Sequence, residues 1–127
     1  MNTLLADVLV LSSRLNASVF NSKEIKMFYN PFSVEKNIYL DGKKFNKRIM
    51  MENGDSSLTL VAIEKEGLID THTSKEDAAV YILDGEIELH FDAQKFTVKK
   101  GEMLMFKKDT QHKVFGVKNS KFILIKI

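Results

Sequence analysis

The chain has 127 residues, 44% of them hydrophobic and 28% charged, a balance that suits one globular domain with one core. It contains no cysteine, which excludes disulfides, thiolate zinc sites and cysteine nucleophiles and fits a reducing compartment. Nineteen basic residues nearly balance seventeen acidic ones, so nothing points to a nucleic-acid partner.

The first apolar run carries Leu4, Leu5, Val8, Leu11 and Leu15 at helical spacing, with Asn2 or Thr3 as a cap. This predicts a short amphipathic helix in an N-terminal extension, residues 1–19, ahead of a single domain over 20–127. No lysine or arginine precedes the run and Asp7 interrupts it, which argues against a secretory signal. The run also falls short of the roughly 20 residues that cross a bilayer. The expectation is a cytoplasmic protein with no membrane partner.

From about Phe32 onward the pattern turns to β-structure. Predicted strands are Ile38–Leu40, Lys47–Met51, Leu58–Glu64, Ala79–Leu83, Glu86–Phe91, Lys95–Lys99, Met103–Phe106, His112–Val117 and Phe122–Ile127. Asp41-Gly42, Asn53-Gly54, Asp84-Gly85 and Lys100-Gly101 cut between them as tight turns. Glu86–Phe91 alternates, with Ile87, Leu89 and Phe91 to one face and Glu86, Glu88 and His90 to the other. Leu58–Ile63, Val80–Leu83 and Phe122–Ile125 are apolar on both faces, which asks for a second cover from the N-terminal helix or from another subunit. A homodimer is expected on that ground. The fold class is all-β, a sandwich or barrel.

Two of the three histidines stand where strands begin after turns: His72 follows Gly67-Leu68-Ile69-Asp70-Thr71, and His112 follows the run from Gly101 to Gln111. Here the chain resembles the cupin superfamily, whose motifs run G(X)5HXH(X)3,4E(X)6G and G(X)5PXG(X)2H(X)3N. Counting back from Gly85, His72 takes the first histidine position, Ser74 the second, and Ala78 the glutamate position; the opening glycine falls at Glu66, one residue before Gly67. In the second motif Gly101 and His112 match, while Lys107, Asp109 and Gly116 replace Pro, Gly and Asn. The short stretch 86–100 between the motifs resembles small single-domain bacterial cupins of the conserved-barrel type. The resemblance implies a double-stranded β-helix (a jelly-roll barrel) behind the short N-terminal helix.

In that family three imidazoles and a carboxylate hold a metal. Here His72 and His112 remain, and Ser74 and Ala78 cannot replace what is missing. Asp77 should face away from Ala78's side, and Asp70 could reach in only across a bend. The two histidines therefore either hold one divalent metal weakly (Zn, Ni, Fe or Mn) or form a hydrogen-bonded pair that meets none. His90 reads as a surface residue.

Met50, Met51, Met103 and Met105 read as core filler, with pocket lining as the alternative. Lys43, Lys44, Lys47 and Arg48, beside Phe45, read as a charged hairpin edge, with an anionic-ligand or RNA role as the alternative. The leading expectation is a small-molecule ligand in a barrel mouth lined by His72, His112, Ser74, Ala78, Val80, Ile82, Met105 and Val114. The alternatives are a metal-dependent enzyme, such as an isomerase or oxygenase, using His72 and His112, and a structural dimer with an inert pocket.

Overall fold

The computed structural model describes residues 27–127, so the helix expected over 1–19 and the boundary expected at residue 20 lie outside the described residues. The chain divides into two compact units, Met1–Phe32 and Ser33–Ile127, and the nine strands found among the described residues lie in the second. They are β1 (Phe45–Asn53), β2 (Ser56–Ile63), β3 (Leu68–His72), β4 (Ala78–Asp84), β5 (Glu86–His90), β6 (Lys95–Lys99), β7 (Met103–Phe106), β8 (His112–Gly116) and β9 (Ser120–Lys126). A 3-10 turn, Glu35–Asn37, precedes them.

The strands form two antiparallel sheets, β1-β2-β9-β4-β7 and β3-β8-β5-β6. The pairs β2–β9, β3–β8, β4–β7 and β5–β6 nest inside one another and alternate between the sheets. That is one long hairpin wound on itself, the jelly-roll barrel expected from the motifs. Positive backbone φ at Gly42, Gly54, Gly85 and Gly101 closes the tight turns the sequence marked.

Alternation along each strand decides what is inside. On β4, Ala78, Val80 and Ile82 are buried, and on β5, Ile87 and Leu89 are wholly buried. Val80, Ile82, Ile87 and Leu89 meet Val61, Ile63 and Phe122 of the first sheet and Ile69, Val98 and Val114 of the second in one core between the sheets. At about 25 cal/mol per Å² of apolar surface, each such side chain contributes roughly 1.5–3 kcal/mol.

Two expectations change here. Ile38–Leu40 is not a strand. Ile38 instead packs with Leu60 and Ala62 on the outer face of the first sheet, backed by Val34, Leu40 and Met50. Arg48 Nη1 pins this strap by donating to Asn37 O at 3.2 Å and Oδ1 at 3.0 Å, and Asn46 donates to Tyr39 O at 2.9 Å. The second cover that Leu58–Ile63 requires is thus supplied by the strap, residues 34–40, of the same compact unit. The other change is β3, which the sequence reading missed altogether.

The methionines do not fill the core as expected. Met50 packs under the strap, whereas Met51, Met103 and Met105 are exposed because they fall on outward positions of their strands. Among the described residues, no helix is long and apolar enough to cross a membrane.

Candidate functional site

His112 opens β8 with its side chain inward, and it is 5% exposed. His72 ends β3, where regular alternation from the inward Ile69 would have brought Thr71, not His72, inside. A register shift between Ile69 and His72 inserts one extra residue opposite β8, so that Ile69 pairs with Val114 and His72 with His112. This bulge turns the His72 side chain toward the interior. The two imidazoles then meet with centroids 4.1 Å apart and planes at 63°.

Each ring is anchored the same way. His72 Nδ1 lies 2.8 Å from Asp70 O, and His112 Nδ1 lies 2.9 Å from Thr110 O. A carbonyl oxygen only accepts, so each Nδ1 carries the hydrogen and donates it. When a ring is neutral, its Nε2 is left as an acceptor. Phe106 backs His112 at a centroid distance of 4.7 Å, with Phe91 behind it at 6.1 Å.

The histidines border a small cavity between the sheets, of about 20 Å³, walled by Val61, Val80, Leu89 and Val114 and by Lys47. That volume admits one water-sized group. An open cleft of about 500 Å³ adjoins it and shares Lys47 and Leu124 as walls. Ser57, Thr59, Glu52, Glu76 and Lys126 also line the cleft, which forms the barrel mouth.

The mouth is cationic at its inner end. Burial lowers the pKa of the His112 imidazolium against the Thr110 hydrogen bond, which raises it, and the charges of His72, Lys126 and Lys47 lower it further. Partial burial and the nearby Lys126 lower the Lys47 ammonium as well.

Of the residues expected in the mouth, His72, His112, Val80 and Val114 line the small cavity together. The others go elsewhere. Ile82 is wholly buried in the core. Ser74 is a turn residue whose Oγ takes the Glu76 N–H at 3.2 Å and whose carbonyl takes the Asp109 N–H at 2.8 Å. Met105 is 76% exposed because it alternates outward from Leu104 and Phe106, and with Ala78 it borders a separate apolar groove beside Ile125 and Ile127.

The nearby carboxylates are committed to other partners. Asp70 Oδ1 takes the Thr71 N–H at 2.7 Å. Asp77 Oδ1 takes the Lys108 N–H at 3.0 Å, which holds its pKa below the usual carboxylate range, and Lys107 lies 3.6 Å away. His90 faces Glu88 at 2.9 Å on the outer face of β5.

Lys47 is the site residue that the sequence reading misplaced. It pairs with the buried Val61 and so faces inward, while its neighbour Arg48 faces outward to Asn37. A lysine opposite a buried valine one strand away was the available signal, but only the β1–β2 register exposes it.

Catalytic zinc sites and non-haem iron sites take three protein ligands. Among the described residues no group of three His, Asp or Glu side chains is placed to hold a metal ion. The walls around the imidazoles are aliphatic or aromatic, and the remaining polar group is an ammonium. The donor set does not fit a resident Zn, Ni, Fe or Mn ion.

A family model described as "Cupin domain" matches residues 59–126. Among solved structures the fold resembles a protein of unknown function from Streptococcus pyogenes, with TM-score 0.72 and 20% identity over 78% of this chain and 87% of that one. A cupin superfamily protein from Desulfitobacterium hafniense is similar to the same degree, with TM-score 0.72 and 18% identity over 78% and 91% of the two chains. A Cupin 2 conserved barrel domain protein from Leptotrichia buccalis reaches 27% identity and TM-score 0.71 over 76% of this chain, which spans 47% of that one. No curated protein matches the chain by sequence.

Proposed function

The chain belongs to the cupin-domain family, and on that premise we propose that it is a small-molecule-binding cupin whose ligand lies in the barrel mouth and reaches His72 and His112. The observation that carries this reading is the matched tethering of the two rings. Both Nδ1–H groups are spent on backbone carbonyls, which leaves the Nε2 atoms of the two cavity-lining rings as acceptors whenever the rings are neutral. A bulge that turns one imidazole inward beside the other gives no packing advantage over an aliphatic side chain at that position. Its use lies in recognising a hydrogen-bond donor. The cleft of about 500 Å³ is of the size that holds small ligands, and a ligand group reaching inward from it meets the imidazoles in a space for one water-sized group.

Binding without a resident metal follows from the donor set. A metal-dependent isomerase or oxygenase needs the ligand itself to supply the missing donors beside an ammonium that repels the ion. An inert structural dimer leaves the paired imidazoles without a use. Homodimerisation and a cytoplasmic location complete the proposal. The dimer rests on the exposed Met103, Met105 and Ile127, and light scattering on the purified chain tests it.

The functional test is an NMR screen of the full chain against a library of a few hundred polar fragments, read on amide and imidazole resonances. Binders should shift His72, His112 and Lys47 together, and a His72→Ala/His112→Ala variant that keeps its folded spectrum should lose them. A library that leaves the mouth untouched contradicts the reading.

A further inference from the structure

Granted the barrel mouth as the ligand site, we propose that it takes a small carboxylate-bearing molecule, with the carboxylate seated between the Lys47 and Lys126 ammoniums. Both lysines occupy inward positions of the first sheet. Lys47 pairs with Val61 across β1–β2, and Lys126 pairs with Ser57 on one side and Ala78 on the other. Their side chains line the same cleft. Among the described residues neither is in an ion pair; the ion pairs that form are His90–Glu88, Lys95–Glu88 and Lys107–Asp77, all elsewhere.

Two cations that share a cleft and are bridged by no carboxylate repel each other, and the effect of Lys126 on Lys47 records that repulsion. An anion placed between them removes it and gains two charge-assisted hydrogen bonds. The hydroxyls of Ser57 and Thr59 stand in the same lining as further donors.

The cleft's own carboxylates set the limits of the ligand. Glu52, Asp55 and Glu76 also line it, yet none bridges to either ammonium. Glu52 lies near the end of β1, Asp55 in the β1–β2 turn and Glu76 in the segment before β4. Their charge opposes a highly charged polyanion and limits the ligand to an anion small enough to sit between the two ammoniums. Phosphate is disfavoured for a separate reason. Among the described residues the lining contains no arginine fork and no helix N-terminus, the groups that fit a tetrahedral dianion.

The test is a ¹⁵N NMR titration of the full chain with malonate, with malonamide as its neutral twin, and with inorganic phosphate. Malonate should give saturable shifts at Lys47, Ser57, Thr59 and Lys126. The affinity should fall at least tenfold for malonamide, and at least tenfold for malonate on Lys47→Met and Lys126→Met variants. Malonamide binding the mouth as well as malonate overturns the anion assignment while leaving the mouth a small-molecule site. Tighter saturation by phosphate overturns the carboxylate assignment. Unsaturable shifts spread over Lys43, Lys44, Lys107 and Lys108 reduce the effect to surface charge and overturn the proposal. A mouth that neither these probes nor the neutral fragments perturb removes the binding site itself.

Discussion

His112 should make folding stability fall on mild acidification, in a way that one substitution removes. The ring is 5% exposed and donates its Nδ1–H to Thr110. Burial, aided by the charges of His72, Lys126 and Lys47, holds its folded pKa below the ordinary histidine value, against the Thr110 hydrogen bond that raises it. Above about pH 6.5 the ring is neutral in both the folded and unfolded chain, so it contributes no pH dependence there. Below that point the unfolded chain binds a proton that the folded chain refuses. Stability then falls at up to about 1.4 kcal/mol per pH unit, and the loss levels off once pH passes the folded pKa. Urea unfolding of the wild type and of His112→Gln at about pH 8, 7, 6 and 5 reads the effect as the difference between the two proteins. The difference should hold steady between pH 8 and 7 and move against the wild type below pH 6.5. A wild type that gains on the variant as pH falls would show a stabilised imidazolium and refute the electrostatic picture of the mouth.

Other substitutions test the scaffold that positions the site. Leu89→Ala, at a wholly buried position under the histidine cavity, should cost about 2–5 kcal/mol in urea unfolding, and a cost under about 1 kcal/mol would mean the core there repacks freely. Gly85→Ala should destabilise by more than about 1 kcal/mol, because Gly85 sits at φ +88 and a Cβ there falls on Ser120 Oγ and the Asn119 carbonyl. Ser120 Oγ takes the Glu86 N–H at 2.8 Å, so that clash also disturbs the start of β5. Glu66→Gly should be neutral or stabilising by up to about 1 kcal/mol, since Glu66 holds φ 68 against the preference of a side-chain-bearing residue. A clear loss of stability there would show that the Glu66 side chain makes a contribution the backbone argument omits.

That last position shows how the sequence and the structure divide the information. The cupin pattern places its opening glycine at residue 66 and another glycine at residue 109, where this chain has Glu66 and Asp109. Both adopt left-handed backbone, at φ 68 and 63. The turns of the motif therefore survive the replacement of its residues, which is why the barrel was legible from glycine and histidine spacing. Gly116, at the motif's asparagine position, packs its backbone against the turn after β2, and a Cβ there would fall on the Glu64 carbonyl oxygen. Glu66 N and Gly67 O bond to Gly116 in the same place, at 2.7 and 2.9 Å.

The site was less legible because it depends on register. Asp70-Thr71-His72 shows no alternation to mark β3, and the bulge that brings His72 inside has no signature in a single sequence. Lys47 looked like one of a run of surface cations until pairing with Val61 fixed its face. Met105 failed for the opposite reason, since an apolar residue on an edge strand points outward as readily as inward.

The central claim is that His72 and His112 are ligand-facing groups of a binding pocket and do not hold a resident metal. Elemental mass spectrometry on the full chain, purified without chelator or histidine tag, tests it most directly. The account predicts Zn, Ni, Fe and Mn each well below one equivalent per chain, with no change in a His72→Ala/His112→Ala variant. Close to one equivalent of any of them, lost in that variant, would contradict it.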